Sequence, residues 1–292
     1  MGAERMILPT TTVDFNGLTL GAGTRWIIDD PGISGWEEST PFDKISDPRA
    51  DSYGDRDTPG RGKGRTVTIQ GKVTTGTDRD QLVAAFGRGF TLPEDPRLKR
   101  ELVISTAGRT LLAYAQVSGR KIIQGNHWSV GRFTWAVQFQ CDDMVRYGLE
   151  DTATGLLSES TAGGITPPLT PPLVLAWRPK SGTVGVTNAG DRLTPVVIEL
   201  VGPQIAPIGV INVTTNRALT YNQGLNTGEV LAIDTRLGRA VLNGDSTRSP
   251  LPGSAVTRTL GLAPGPNVIR AVGRPGIGGT PTITVRWRPA YE

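Results

Sequence analysis

The stretch Arg132-Phe133-Thr134-Trp135-Ala136-Val137-Gln138-Phe139-Gln140 decides the fold. Phe133, Trp135, Val137 and Phe139 fall on one side of an extended chain, and Arg132, Thr134, Gln138 and Gln140 on the other. A period of two is the mark of a half-buried β-strand, whose successive side chains point to opposite faces. Thr66-Val67-Thr68-Ile69-Gln70-Gly71-Lys72-Val73 alternates in the same way, and Glu101–Ser105 and Thr110–Val117 are further apolar runs of strand length. Earlier still, Val13-Asp14-Phe15-Asn16-Gly17-Leu18-Thr19-Leu20 predicts a short strand pattern with Asn-Gly as a turn or bulge. Trp26-Ile27-Ile28 predicts a second strand, closed by Asp29, Asp30, Pro31 and Gly32. One helix is predicted over 78–86. Thr77 serves as its N-cap, Asp78 and Asp80 sit against the positive end of its dipole, and Leu82, Ala85 and Phe86 share a face. Gly87 and Gly89 are placed to stop it.

Residues 37–64 break the pattern. They are polar, charged and glycine-rich, and run into Gly60-Arg61-Gly62-Lys63-Gly64-Arg65, so they predict a long loop that is functional or ordered by a partner. A second break comes at 149–172, small and polar and then Pro-rich (Thr166-Pro167-Pro168-Leu169-Thr170-Pro171-Pro172), which is the composition of a stiff connector. The chain therefore divides into a domain over 1–150, a linker over 151–172 and a domain over 173–292. Strands in the last part are predicted at Thr183–Asn188, Pro195–Val201, Ile208–Thr214, Ala218–Tyr221, Glu229–Asp234, Arg239–Leu242, Thr257–Leu260, Asn267–Val272 and Thr280–Trp287. Turn signals at Asp234–Arg239 and Asn243-Gly244 join them into an antiparallel β-sandwich, with Ile283, Val285 and Trp287 on the core face.

The bulk numbers agree. With 292 residues the chain is long enough for about two domains of roughly 150 residues each. Its 38 glycines and 22 prolines exceed the ordinary share of roughly 12% and are scattered between apolar runs, as turns in an all-β protein are. A net charge of +4, with bases and acids interleaved, is too small and too dispersed to mark a nucleic-acid-binding protein. A single cysteine, Cys141, excludes an intrachain disulfide and a Cys-cluster zinc site. The first residues lack a signal-peptide pattern and no apolar run approaches about 20 residues, so neither export nor membrane insertion is expected.

The order of these pieces resembles the distal tail proteins of siphophages, the long-tailed bacteriophages. The N-terminal match rests on the Phe15-Asn16-Gly17-Leu18 strand, Gly64-Arg65-Thr66-Val67-Thr68-Ile69-Gln70-Gly71, the helix, and the strand ending Asp142-Asp143-Met144-Val145-Arg146-Tyr147. Met144 stands where that family often has Pro. The C-terminal match rests on Val186-Thr187-Asn188-Ala189-Gly190-Asp191 followed by Thr194–Leu200, the hairpin Val230–Gly244, and Leu262-Ala263-Pro264-Gly265-Pro266-Asn267-Val268-Ile269. The resemblance implies a mainly β protein: an N-terminal β-rich ring-forming domain with one helix, and a C-terminal galectin-like antiparallel β-sandwich. It implies a homo-hexamer in the virion tail tip or baseplate, in contact with the tail-tube protein, the tape-measure protein and the tail-tip hub protein. DNA would meet it only in transit.

No catalytic apparatus is expected. His127 has no second histidine to form a metal pair, and no Gly-x-Ser-x-Gly marks a nucleophile. Cys141 reads as a small core residue. The glycine-rich run at 60–65 precedes a strand, whereas a phosphate loop opens a helix, and Asp29-Asp30, Asp55/Asp57, Asp78/Asp80 and Asp142-Asp143 lack the continuation of a calcium loop. No cofactor or metal is expected. Within the ring, Arg61, Lys63 and Arg65 are candidates to line the channel, and Asp78, Arg79, Gln81, Leu82 and Phe86 to form the interface. The competing reading is a host-surface carbohydrate-binding module in the second domain, with Trp177 and Trp287 as aromatic platforms; alternation puts Trp287 in the core instead.

Overall fold

A computed structural model describes residues 11–39, 42–43, 46–48, 55–57, 61–74, 78–95, 97–106, 108–157 and 182–292. Its contacts divide the chain into two units, Met1–Gly148 with Glu292, and Leu149–Tyr291.

The first unit is built on β1 (Thr12–Phe15), β2 (Leu18–Gly21) and β3 (Trp26–Ser34), then β4 (Phe42–Asp43), β5 (Ser46–Pro48), β6 (Asp55–Asp57) and β7 (Arg61–Gly62). β8 (Thr66–Val73), α1 (Arg79–Gly89), β9 (Arg100–Thr106), β10 (Arg109–Ile123), β11 (Phe133–Cys141) and β12 (Arg146–Tyr147) complete it. The main sheet is antiparallel in the order β2-β1-β9-β10-β11-β8-β3, with β12 joined to β10. Asn16 and Gly17 both take positive φ between β1 and β2, so the Asn-Gly pair is a tight hairpin turn rather than a bulge. β11 buries Phe133, Trp135, Val137 and Phe139, the face read from its alternation.

That face is covered by α1 through aromatic contact. Phe86 lies 5.1 Å from Trp26 and 4.8 Å from Phe90 between ring centroids, and Phe15 lies 4.8 Å from Phe139. The helix differs from expectation at both ends. Asp78 holds the N-cap position without a side-chain capping bond, and Thr77 lies outside the described residues. At the other end α1 runs through Gly87 and Gly89 to Phe90. Its last carbonyls are satisfied from outside. Asn16 Nδ2 donates to Gly89 O at 3.2 Å, Thr91 Oγ1 to Arg88 O at 2.9 Å, and Arg120 Nη1 to Gly87 O and to Phe90 O. Gly89 is needed for proximity, because a Cβ there would crowd the side chain of Leu18.

The predicted loop over 37–64 contains short antiparallel ladders, β4 with β7 and β5 with β6. Backbone pairing holds them without apolar alternation, which is why the sequence reads as loop.

The second unit comprises β13 (Asp151–Leu156), β14 (Thr183–Asn188), β15 (Val196–Val201), β16 (Gln204–Asn212), β17 (Arg217–Tyr221), β18 (Val230–Asp234), β19 (Arg239–Leu242), β20 (Ser246–Arg248), β21 (Gly265–Pro275) and β22 (Thr282–Trp287). Two antiparallel sheets, β13-β22-β15-β18-β19-β20 and β14-β21-β16-β17, share one core that includes Val186, Ile198, Leu200, Val210, Leu219, Ile233, Ile269, Ile283 and Val285. The arrangement is a β-sandwich. Two expectations are corrected. Asp151–Leu156 belongs to the sandwich and not to a linker, because it pairs with β22 from Asp151↔Trp287 to Leu156↔Thr282. An edge strand needs backbone ladders more than apolar side chains, so its small polar residues read as connector. The remaining predicted linker, 158–172, lies outside the described residues, as does Trp177. Thr257–Leu260, predicted as a strand, is a short 3-10 turn at Thr257–Thr259 that buries Leu260.

Because Phe86 is only 1% exposed amid the rings of Trp26, Phe90 and Trp135, Phe86→Ala will destabilise the first unit by about 3–5 kcal/mol. Gln81→Ala, on the solvent side of the same helix, will change stability by less than about 0.5 kcal/mol. Denaturant unfolding followed by tryptophan fluorescence measures both.

Candidate functional site

Arg65 stands immediately before β8 where the chain leaves the 37–64 segment, and it is buried. It is 2% exposed. Its Nη1 donates to the carbonyl oxygens of Gly35 at 2.9 Å, Trp36 at 2.8 Å and Glu38 at 2.6 Å, and Nη2 to Met144 O at 3.1 Å. Burial lowers its pKa first, and the charge of nearby Arg146 lowers it further. The glycines beside it permit this closeness. A Cβ at Gly35 would collide with the Thr66 carbonyl, and one at Gly64 with the Cys141 carbonyl. Arg146 adds a second tie, with Nη1 2.7 Å from Glu37 Oε2 and its guanidinium 5.7 Å over the Trp36 ring. Arg65 is therefore a clamp on the base of the long segment, and its candidacy for a channel lining is corrected: a charge bonded to four carbonyls inside the unit cannot face a lumen. Lys63 is exposed and lines a cleft with Glu38, Ser39 and Gln140. Arg61 pairs with Asp43 through its backbone.

The helix residues divide similarly. Asp78 Oδ2 meets Arg25 Nη1 at 2.7 Å, and Arg79 binds Asp80 at 2.9 Å while stacking 5.0 Å over Trp128. Gln81 is exposed and Leu82 half-buried. Phe86 is core, so it offers nothing to a neighbouring molecule, and its place among the interface candidates is corrected.

The surface that sequence reading missed lies beyond the C-terminal end of α1. Leu92 is 56% and Leu98 is 68% exposed, and both line a cleft of about 370 Å³ with Pro93, Arg88, Arg100 and Val117. Their signal was available: two leucines in a Pro- and charge-rich connection, Thr91-Leu92-Pro93-Glu94-Asp95-Pro96-Arg97-Leu98, with no periodicity to bury them.

The carboxylate pairs are distributed among separate partners. Asp29 binds Lys72 at 2.6 Å, Asp142 binds Lys99 at 3.1 Å, and Asp143 accepts from the Tyr147 hydroxyl at 3.2 Å. Among the described residues, no three His, Cys, Asp or Glu side chains gather as a metal site. His127 is exposed at the start of a 3-10 turn. Cys141 is buried, and desolvation pushes its thiol up to about 12. In the second unit Trp287 is buried and donates from Nε1 to Thr187 O at 3.0 Å, so its ring is no platform for a sugar.

No family model matches the chain, and no curated protein sequence matches it. Among solved structures, the chain is similar to the Dit (gp 19.1) protein of phage SPP1, described as a paradigm of the hub adsorption apparatus in phages that infect Gram-positive bacteria. The TM-score is 0.62 at 13% identity, covering 97% of this chain and 99% of that one. Two structures of the phage P2 baseplate in its activated conformation, with Ca and with Sr, align at TM-scores of 0.47 and 0.48 and 10% identity, over 94% of this chain and 97% of theirs. The resemblance to siphophage distal tail proteins holds in the fold: this chain folds as the SPP1 Dit protein does.

Arg65→Met, which keeps the volume but removes every donor, will destabilise the first unit by about 2–4 kcal/mol and speed proteolysis within 37–64. Arg65→Lys will recover only part, since an ammonium lacks the planar fork. The Cys141 thiol gives a second expectation. With a folded pKa of about 12 against 9.0 unperturbed, the folded state holds its proton more tightly. That contribution is complete below pH 9.0 and is lost as pH rises toward 12. In Cys141→Ala, stability measured by denaturant unfolding will fall less steeply across that alkaline range.

Proposed function

We propose that this chain is a structural, non-enzymatic component of the distal tail of a long-tailed bacteriophage. It works there as a homo-hexameric ring that joins the tail tube to the tail-tip hub protein. The observation that carries this reading is the likeness to the SPP1 Dit protein along the whole of both chains, through both units and not one shared domain. A sandwich alone serves many functions, but a helix-covered antiparallel sheet followed by a sandwich over the full length is a far more restrictive arrangement.

In a closed ring of identical subunits each protomer presents two different surfaces, one to each neighbour. The Leu92–Leu98 cleft suits one of them. It combines exposed apolar side chains with flanking Arg88, Glu94, Asp95 and Arg100, the apolar centre and charged rim of a protein interface. Gln81, exposed on α1, is a further candidate contact. Lys63 stands at the foot of the long segment as a candidate to face the channel through which DNA passes. The tail-tube, tape-measure and tail-tip hub proteins are the expected partners, and the virion tail tip the expected place. The role requires neither cofactor nor turnover.

Light scattering on a sizing column will give a mass of about six protomers for the purified chain, alone or with the tail-tube protein. Leu92→Glu combined with Leu98→Glu will shift that mass toward the monomer while leaving the circular dichroism spectrum unchanged. A chain that stays monomeric with both tail partners present would count against the ring.

A further inference from the structure

We propose that the turn between β10 and β11 of one copy of this chain docks in the Leu92–Leu98 cleft of the next copy. Resting on the ring reading, this contact supplies the second, different surface that head-to-tail association requires. Among the described residues of the first unit, four large apolar side chains are exposed, and they fall into two pairs. Leu92 and Leu98 line the cleft. Ile123, 44% exposed, and Val130, 59% exposed, belong to the β10–β11 turn.

The turn projects and is ordered. From Ile123 to Val130 every residue is exposed except Trp128, which is half-buried. Trp128 anchors the turn, with its ring 5.5 Å from that of Phe133 and beneath the Arg79 guanidinium at 5.0 Å. Inside it, Val130 N and Arg132 N both donate to His127 O, at 3.2 and 3.1 Å. A turn already fixed in shape loses little freedom on docking. The cleft is the complementary shape, a concavity of about 370 Å³.

Position and charge select a second copy as the occupant. Arg79 at the start of α1 holds the turn, and Arg88 near its end lines the cleft. The two surfaces are therefore separated by about 14 Å of helix, and an anchored turn does not reach the cleft of its own chain. Glu94 on the cleft rim and Lys121, two residues before Ile123, are both exposed, and neither has an ion-pair partner among the described residues. Asp95 on the same rim already accepts from Arg97 N at 2.8 Å, which leaves Glu94 as the acid open to a neighbour's ammonium. Opposite charges beside two apolar pairs fix the register of such a contact.

The test is cross-linking of the full chain with a short bis-maleimide, in the oligomer isolated by sizing. Cys141 is buried, so the introduced thiols carry the reaction. Val130→Cys and Leu98→Cys, each alone, should give no linked species. Co-expressed, the two single variants should give linked pairs and nothing larger. Both substitutions in one chain should give a ladder that reaches the full ring. Ile123→Cys with Leu92→Cys supplies an independent pair, and circular dichroism checks that each variant folds. An oligomer in which neither mixed pair links overturns the docking and leaves the ring reading standing. Self-linking of either single variant also overturns it. A ladder that stops at two, or a chain that stays monomeric with the tail-tube protein present, overturns the docking and the ring together.

Discussion

The first unit depends on a single covering contact. A broad antiparallel sheet has an apolar face that must be removed from water, and α1, the one α-helix among the described residues, is only eleven residues long. So short a helix is marginal by itself and gains its stability from packing. The packing is aromatic, with Phe86 and Phe90 meeting Trp26, Trp135, Phe15 and Phe139. Large rings let a small helix bury much area from few positions. The closeness of α1 to β2 then fixes what its end must be. Gly89 admits Leu18, and Asn16 of the first hairpin turn caps the Gly89 carbonyl. The Asn-Gly turn thus serves twice, reversing the chain and closing the helix.

Irregular backbone in both units is held by the same device, a buried polar side chain that binds main-chain groups. Arg65 does this in the first unit. In the second, three buried asparagines do it at the ends of strands. Asn188 Nδ2 donates to Arg192 O at 2.7 Å, Asn212 Nδ2 to Gly261 O at 2.8 Å, and Asn267 Nδ2 to Ala263 O at 2.7 Å. Their Oδ1 atoms accept from Gly190 N, Thr214 N and Ala263 N. Asn188 and Asn267 give and take within one turn, while Asn212 accepts within its turn and donates to the distant Gly261 carbonyl, each replacing ladder bonds that the turn interrupts. This gives the Asn188-Ala189-Gly190 and Pro264-Gly265-Pro266-Asn267 segments a physical meaning: they are self-bonded turns, the first closing β14 and the second opening β21.

Legibility in the sequence follows from how local each cause is. Alternation in β8, β11, β15 and β22 is local, and the buried faces follow it residue by residue. Turn chemistry at Asn16-Gly17 and Asn243-Gly244 is local too, and both pairs take positive φ. The misreadings arise where the deciding partner is distant. Gly87 and Gly89 look like helix stops until Leu18 and Arg120 are beside them. Asp151–Leu156 looks like a linker until β22 pairs with it. Arg65 ends a glycine-rich basic run, and nothing nearby in sequence announces that Gly35 to Glu38 will supply its acceptors. The exposed Leu92 and Leu98 differ, because their cause is local: a Pro- and charge-rich connection without apolar periodicity.

The sheet edges left unpaired among the described residues bear on how such a chain can associate. An unpaired edge invites strand addition unless it is short, bent or polar. β3 carries Pro31, and its register with β8 shifts between Ile28 and Ile33. At the opposite edge β2 has four residues. In the second unit β20 has three residues, β13 presents Thr152 and Thr154, and β14 turns Thr183 and Thr187 outward. Each of these edges is short, interrupted or hydroxyl-bearing. Continuous backbone pairing between protomers is therefore disfavoured at all of them. The Leu92–Leu98 cleft differs from these edges in kind, since it offers exposed side chains rather than backbone groups for contact.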